Sequence, residues 1–170
     1  MFTKRLGTGV IGTALKRGMA GEADVQAAID SMLELNGAAC EAMLAGQPHA
    51  CTDITGFGLV GHAREMALAS SVTLEIEVNA VRFLPGALQY ARNGAVPAGL
   101  KNNREFASCA VEKTAGFAPE FEDLLYDPQT SGGLFVSLPE AGAAAMARAV
   151  PGAYRIGRVI ARGPKPIRLI

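Results

Sequence analysis

The stretch from His49 to Val78, HACTDITGFGLVGHAREMALASSVTLEIEV, decides the fold class. It opens with a short strand around His49–Thr52, crosses a glycine-punctuated turn, and enters a helix from about Gly58 to Ser70. It closes in a second strand, where Val72, Leu74, Ile76 and Val78 alternate with Thr73, Glu75 and Glu77, the pattern of a half-exposed strand. Strand, helix and strand in direct succession call for helices layered on a sheet.

The same grammar extends in both directions. Downstream, a short helix follows Pro85 and ends at Asn93-Gly94, and Ala95 to Asn103 reads as loop. Phe106 to Val111 reads as a strand, and Pro119 to Tyr126 as a helix stopped by Asp127-Pro128. Gly133 to Leu138 is a strand and Glu140 to Ala149 an Ala-rich helix, with closing strands at Tyr154–Ala161 and Ile167–Ile170. Upstream, Glu22 to Ala45 reads as one long helix, with Val25, Ile29, Met32, Leu33, Asn36, Cys40, Met43 and Leu44 at helical spacing. Cys40 is then a buried small hydrophobe. Leu6 to Ala14 alternates apolar residues with Thr and Gly and reads as a strand ended by Lys16-Arg17-Gly18. The expected architecture is a layered α/β or α+β domain with a mixed sheet and helices on at least one face.

A chain of 170 residues, 49% hydrophobic, is one domain's worth and needs no disulfide or structural metal to fold. Sixteen basic residues against sixteen acidic ones weigh against non-specific nucleic-acid binding, which needs clustered positive charge. Charge is unevenly placed: residues 141–170 carry bases and no acids, while 105–140 is rich in acids. Solvated strand edges and faces account for this. Cys40, Cys51 and Cys109 lie far apart without CxxC or Cys–His spacing, so neither a disulfide framework nor a zinc site is expected, and a reducing cytoplasm is the default. No apolar run reaches the length of a membrane span, and the N-terminus lacks a signal-peptide core. Met1 to Leu6 runs almost at once into a structured segment, which suggests a chain cut from something longer.

Three segments could carry chemistry. Gly7-Thr8-Gly9-Val10-Ile11-Gly12 matches the GxGxxG letters, but the glycines lie inside the strand pattern and no acidic strand end follows about 20 residues on. Glycines that admit a neighbouring element explain it better than a nucleotide loop. In Thr52–His62, Asp53 stands at a strand end before a glycine turn, where its hard oxygens, with Thr55 nearby, suit Mg²⁺ carrying substrate phosphates. Helix capping by Asp53 or Thr55 is the competing explanation. His62, on a mostly apolar helical face, reads as a packing residue; His49, the other histidine, reads as a loop residue, so no nucleophile–base pair is formed. The turn Asp127-Pro128-Gln129-Thr130-Ser131-Gly132-Gly133 is either a polar connection or a set of exposed donors that holds an anion or docks a second domain.

The segments TDITGFGLVGH, AVPAGLKNN and DPQTSGG, with the opening TKRLGTGV, resemble the C-terminal domain of the selenophosphate synthetase (selenide, water dikinase) family, over essentially the whole chain. The resemblance implies a three-layer α/β/α sandwich with a mixed sheet, like the C-terminal domain of aminoimidazole ribonucleotide synthetase and partly ferredoxin-like. It implies residues 1–170 as the single C-terminal domain of a longer two-domain, cytoplasmic enzyme that makes selenophosphate from selenide, ATP and water, with AMP and phosphate as products. Asp53 is implied as a Mg²⁺ ligand, completing a cluster whose other aspartates lie in an N-terminal domain. Asn103 matches an Asn of a family loop, although Ala98 and Leu100 depart from that loop's Gly and Thr; Thr55 and Asn103 are the candidate cofactor-binding residues. The nucleophilic Cys or selenocysteine and its Lys belong to the N-terminal domain, so no catalytic residue is expected in this chain. The implied partners are ATP, selenide, the N-terminal domain and a second copy in a full-length homodimer, with no nucleic acid and no membrane. The alternatives are the matching domain of a hydrogenase-maturation dehydratase or of a purine- or thiamine-pathway enzyme, or a non-catalytic binding and assembly module.

Overall fold

A computed structural model describes all residues from Met1 to Ile170. Eight helices and six strands follow one another in the mixed order expected of an α+β chain: α1 (Thr8–Lys16), α2 (Glu22–Leu33), α3 (Gly37–Ala45), β1 (Ala50–Asp53), α4 (Gly58–Ala69), β2 (Val72–Ile76), α5 (Ala87–Arg92), α6 (Ala98–Ser108), β3 (Val111–Lys113), α7 (Pro119–Tyr126), β4 (Leu134–Ser137), α8 (Glu140–Ala149), β5 (Gly157–Ala161) and β6 (Ile167–Leu169). The strands form two sheets, an antiparallel β1–β4 pair and a mixed four-stranded sheet in the order β3-β6-β2-β5. The N-terminal Phe2 bridges to both Phe135 and Tyr154, and so ties β4 to the segment that leads into β5. Helix α4 lies against β1, β2 and β6, while α3 and α8 pack together on the far side of β4. Helices therefore cover both faces of the β layer. The main core joins Leu59, Val60 and Ala63 of α4 with Ile76, Leu124, Tyr126 and Ile167; a smaller one joins Ala39, Met43, Val136 and Met146.

The structure departs from the sequence reading at five places. Residues 6–14 are not a strand. Thr8–Lys16 is helix α1, which buries Val10, Ile11 and Ala14, a spacing that serves a helix as well as it serves alternation. The long helix over 22–45 is broken at residues 34–36. There the Lys4 ammonium donates to the carbonyls of Ser31 and Glu34 at the end of α2, and Asn36 Nδ2 donates to Gly132 O. The break leaves Leu33 and Leu44 exposed and Cys40 half-buried beside the smaller core. Strand β2 is central and buried on both faces. Its polar residues are satisfied in place: Thr73 donates to Lys165 O, and Glu75 pairs with Arg158 and Arg168. Residues 98–108, expected as loop followed by strand, form helix α6, and only Val111–Lys113 of that region pairs as a strand. Finally, β1 and β4 stand apart from the other four strands.

The uneven charge is accounted for by pairing across β5 and β6. Arg158 and Arg168 meet Glu75, Arg168 also meets Glu112, and Lys165 caps the Cys109 carbonyl.

Candidate functional site

Strand β1 brings Asp53 to the edge of the fold. Its residues alternate between half-buried Ala50 and Thr52 and exposed Cys51 and Asp53, so Asp53 and Cys51 share the open face. The Asp53 carboxylate accepts no hydrogen bond from the chain, and α4 starts after Phe57 without any side-chain cap. Capping by Asp53 or Thr55 is thereby set aside. The Thr55 carbonyl instead receives the N–H groups of Gly58 and Gln129, both at 3.0 Å, which fixes the turn. Gly58 has φ of 69°, and a Cβ there would lie 2.7 Å from the Tyr126 carbonyl carbon, so the helix can begin this close to residues 126–127 only with glycine.

Thr55 Oγ1 lies 3.1 Å from His62 Nε2, one helical turn into α4. The half-buried imidazole is held below its ordinary pKa chiefly by burial, against an opposing pull from Asp53 and Glu65. His62 is thus more than packing, since it hydrogen-bonds a candidate site residue. His49 lies exposed ahead of β1. Beside the turn, exposed Phe57 stacks with Phe106 at 6.0 Å, and the Arg64 guanidinium sits 4.6 Å from the Phe106 centroid.

Asn103 is buried, and its Nδ2 donates to Gly56 O at 2.8 Å and to Tyr126 O at 3.0 Å. One side chain thereby links the glycine turn before α4 to the start of the 127–133 turn. The two motif segments thus meet in space, and Asn103 is the clasp between them.

The turn 127–133 serves the fold in a way its local sequence does not show. Gln129 Oε1 accepts from the N–H groups of Gly7 and Thr8 and from the Thr8 hydroxyl, while Gln129 Nε2 donates to Asp127 O and Oδ2. Asp127 is fully buried, and its Oδ2 accepts from Gly9 N–H at 3.1 Å. These two side chains cap α1, whose own N-terminal residues carry no side-chain cap. A Cβ at Gly9 would lie 2.5 Å from Asp127 Oδ1, so glycine there admits the carboxylate. The GxGxxG letters thus mark a helix start already filled by the protein's own acceptors, and a phosphate would meet a carboxylate there. Burial pushes the Asp127 carboxyl up to about 7, against the pull of Gln129 and the Val10 and Gly9 N–H groups, and its Oδ1 is buried without a partner. Sequence reasoning missed this role because the cap and the helix are separated by about 120 residues. The donor-rich glycines at the start of α1 were the only local signal.

Asp53 offers hard oxygen ligands, and no group of three or more His, Cys, Asp or Glu side chains gathers anywhere in the chain. Such a carboxylate fits Mg²⁺ as one contributor, because that ion is commonly held by one or two carboxylates together with phosphate oxygens and water.

A family model described as AIR synthase related protein, C-terminal domain, matches residues 1–168. The selenide, water dikinase of Clostridium botulinum strain Eklund 17B is 40% identical over 171 residues, which cover 98% of this chain and 50% of that protein. That of Clostridioides difficile strain 630 is 39% identical over 175 residues, covering 100% of this chain and 50% of that protein. The chain spans about half the length of the curated relatives it matches. Among solved structures, the thiamine-monophosphate kinase of Stenotrophomonas maltophilia K279a superposes with a TM-score of 0.65 at 14% identity, over 99% of this chain and 48% of that one. HypE of E. coli superposes with a TM-score of 0.62 at 18% identity, over 99% and 44%. At these identities the two structures speak to the fold alone.

Proposed function

The chain belongs to the family of AIR synthase related proteins, as their C-terminal domain, and from that premise we propose that it is the C-terminal half of a selenide, water dikinase. The reaction converts selenide, ATP and water to selenophosphate, AMP and phosphate. The observation that carries the assignment of a site is Asp53, exposed at the end of β1 with no hydrogen bond from the chain, unlike Asn103 and Asp127, whose bonds are made internally. Identity near 40% to selenide, water dikinases over nearly the full chain supports this member of the family over the kinase and HypE relatives.

In this reading Asp53 contributes one carboxylate to a Mg²⁺ ion that neutralises charge on the polyphosphate. The remaining ligands, the nucleophile and its neighbouring Lys come from a preceding N-terminal domain. Thr55, oriented by His62, places a hydroxyl two residues from Asp53. Asn103 acts at a distance, by fixing the Gly56 carbonyl and hence the course of the turn that follows Asp53. Phosphoryl transfer depends on several charges placed around the phosphates, and this chain brings one to that place. The isolated domain is therefore expected to release no AMP in a selenide-dependent manner.

The test fuses this chain behind the N-terminal half of the Clostridioides difficile enzyme and follows selenide-dependent AMP formation. Activity in the fusion, a loss of at least about a hundredfold in Asp53→Ala, and none from the separate chain are expected. Wild-type turnover by the Asp53→Ala fusion removes Asp53 from the mechanism. Turnover by the separate chain refutes the half-site reading.

A further inference from the structure

All three cysteines are free thiols, and the fold treats them differently. Cys109 lies alone just beyond α6, where Lys165 meets its carbonyl. Cys40 and Cys51 share one side of the β1–β4 pair. Cys51 stands opposite Val136 in the antiparallel register, so the two side chains point to the same face. Val136 lies in the smaller core with Ala39 and Met43 of α3, and Cys40, half-buried, packs against that same core. Cys51 therefore projects from the sheet face that α3 covers, and it remains exposed.

The two thiols are also level along the sheet. Asn36, just before α3, donates to Gly132 O at 2.9 Å, at one end of β4. At the other end, a Cβ on Gly46, just after α3, would lie 2.9 Å from Leu138 Cδ2. Helix α3 therefore runs alongside β4, and β1 runs back the other way from His49, whose N–H donates to Ser137 O at 2.9 Å. Measured from that shared end, Cys40 lies about 9 Å back along the helix from Gly46, and Cys51 about 7 Å along the strand from His49. The two positions thus agree to within about 2 Å along the sheet. Burial, and after it the Cys40 thiol and Asp53, push the Cys51 thiol above its ordinary pKa, the mark of neighbours at short range.

We propose that Cys40 and Cys51 are a redox-sensitive pair that hydrogen peroxide closes into a reversible disulfide, tethering α3 to the strand end that carries Asp53. The exposed Cys51 sulfur attacks the peroxide, the O–O bond breaks, and a sulfenic acid and one water form. The Cys40 sulfur then displaces the sulfenic oxygen, which leaves with the Cys40 proton as a second water. Two thiols and one peroxide thus give one S–S bond and two waters, with one electron lost by each sulfur. A dithiol reductant returns both electrons and reopens the pair. The inference is independent of the selenium chemistry proposed above.

The test treats the reduced chain with hydrogen peroxide, alkylates the remaining thiols and weighs the product. A mass lower by about 2 Da before alkylation, one alkylatable thiol, and recovery of all three with dithiothreitol are expected. No Lys or Arg lies between Cys40 and Cys51, so the digest uses a glutamate-specific protease, which cuts after Glu34, Glu41 and Glu65. Without reductant, Leu35–Glu41 should emerge joined to Ala42–Glu65. The bridge should raise the Tm by about 4 °C, form at the same rate over an about tenfold range of protein concentration, and persist in Cys109→Ser. It should be absent from Cys51→Ser, an exposed position where loss of the thiol leaves the core untouched. Three alkylatable thiols after treatment overturn the proposal. So does a sulfinic acid on Cys51 with Cys40 still free, a link to Cys109, or a disulfide dimer whose yield rises with concentration. A Tm that falls on bridging would show that the backbone must move to close the pair, and would overturn the geometry on which it rests.

Discussion

Asp127 and Asp53 are both aspartates at the edge of a glycine-containing turn, and the structure treats them oppositely. Asp127 is fully buried and spends Oδ2 on Gly9 N–H and the Gln129 amide. Asp53 is exposed and spends nothing on the chain. Asn103 stands between the two turns and binds a carbonyl of each, so both belong to one unit. The difference teaches how to divide a motif-rich region. Polar groups whose bonds close internally hold the fold, and the one whose bonds stay open is available to a ligand. By sequence alone DPQTSGG and TDITGFG look equally functional; by their bonds, only the second leaves a carboxylate outward.

The largest expected effect tests the buried member. The unfolded Asp127 carboxyl releases its proton near pH 3.8 and the folded one near 7. Between those values the folded state holds a proton that the unfolded state has lost, so this group's stabilisation is complete below pH 3.8 and is lost as pH rises through about 7. The Met1 amine and His62, both pushed down, slope the other way, so the quantity to measure is a difference between proteins. The stability of wild type relative to Asp127→Asn, from urea unfolding, is expected to fall by about 2.5 kcal/mol between pH 5 and pH 8. A flat difference would show that Asp127 is solvated in solution, and the contrast with Asp53 would fail.

Gln129→Ala comes next in size. It strips acceptors from the Gly7 and Thr8 N–H groups and a donor from Asp127, and a loss of about 1.5 kcal/mol is expected. Exchange of the first-turn amides of α1 should accelerate more than that of α4. A uniform effect on both helices would mean that Gln129 does not act as the cap.

How much of this was legible in the sequence follows from where each determinant sits. Helices α4, α7 and α8 were readable because their start signals, stop signals and apolar faces lie within one short window; Pro119 and Pro128 bracket α7. Helix α1 was misread as a strand because what makes it a helix, the pair Asp127 and Gln129, arrives from the other end of the chain. The break between α2 and α3 was invisible for the same reason, since Lys4 and Gly132 supply the partners that end one helix and hold Asn36. Helix α6 was hidden by the Pro, Gly and Asn residues at its start, which signal loop locally yet are tolerated in a first turn. In strand β2 the alternation was real, but Thr73 and Glu75 face bonded partners instead of water. At the candidate site, the place of Asp53 at a strand end was readable locally, but residue type and spacing left helix capping as an equal explanation until the uncapped start of α4 was seen. Asn103 entered only through resemblance, and its two carbonyl partners could not be foreseen. The Thr55–His62 bond joins residues at a spacing that a helix start permits, but a lone His on an apolar face does not announce a partner.

The smallest expected effect is the one that most sharpens the comparison. Asp53→Ala removes a side chain that makes no hydrogen bond within the chain, and exposed positions of this kind change stability by no more than about 0.5 kcal/mol. The variant should therefore unfold with wild-type midpoint and slope, while His62 loses the charge that pulls against its burial. Its imidazole should titrate at lower pH in an NMR titration of this chain, a readout independent of activity. A destabilisation comparable with that of Gln129→Ala would instead place Asp53 among the residues that hold the fold. If stability and the His62 titration both stay at their wild-type values, the Asp53 carboxylate is too far or too well solvated to act on its neighbours. Its role then rests wholly on what binds from outside the chain.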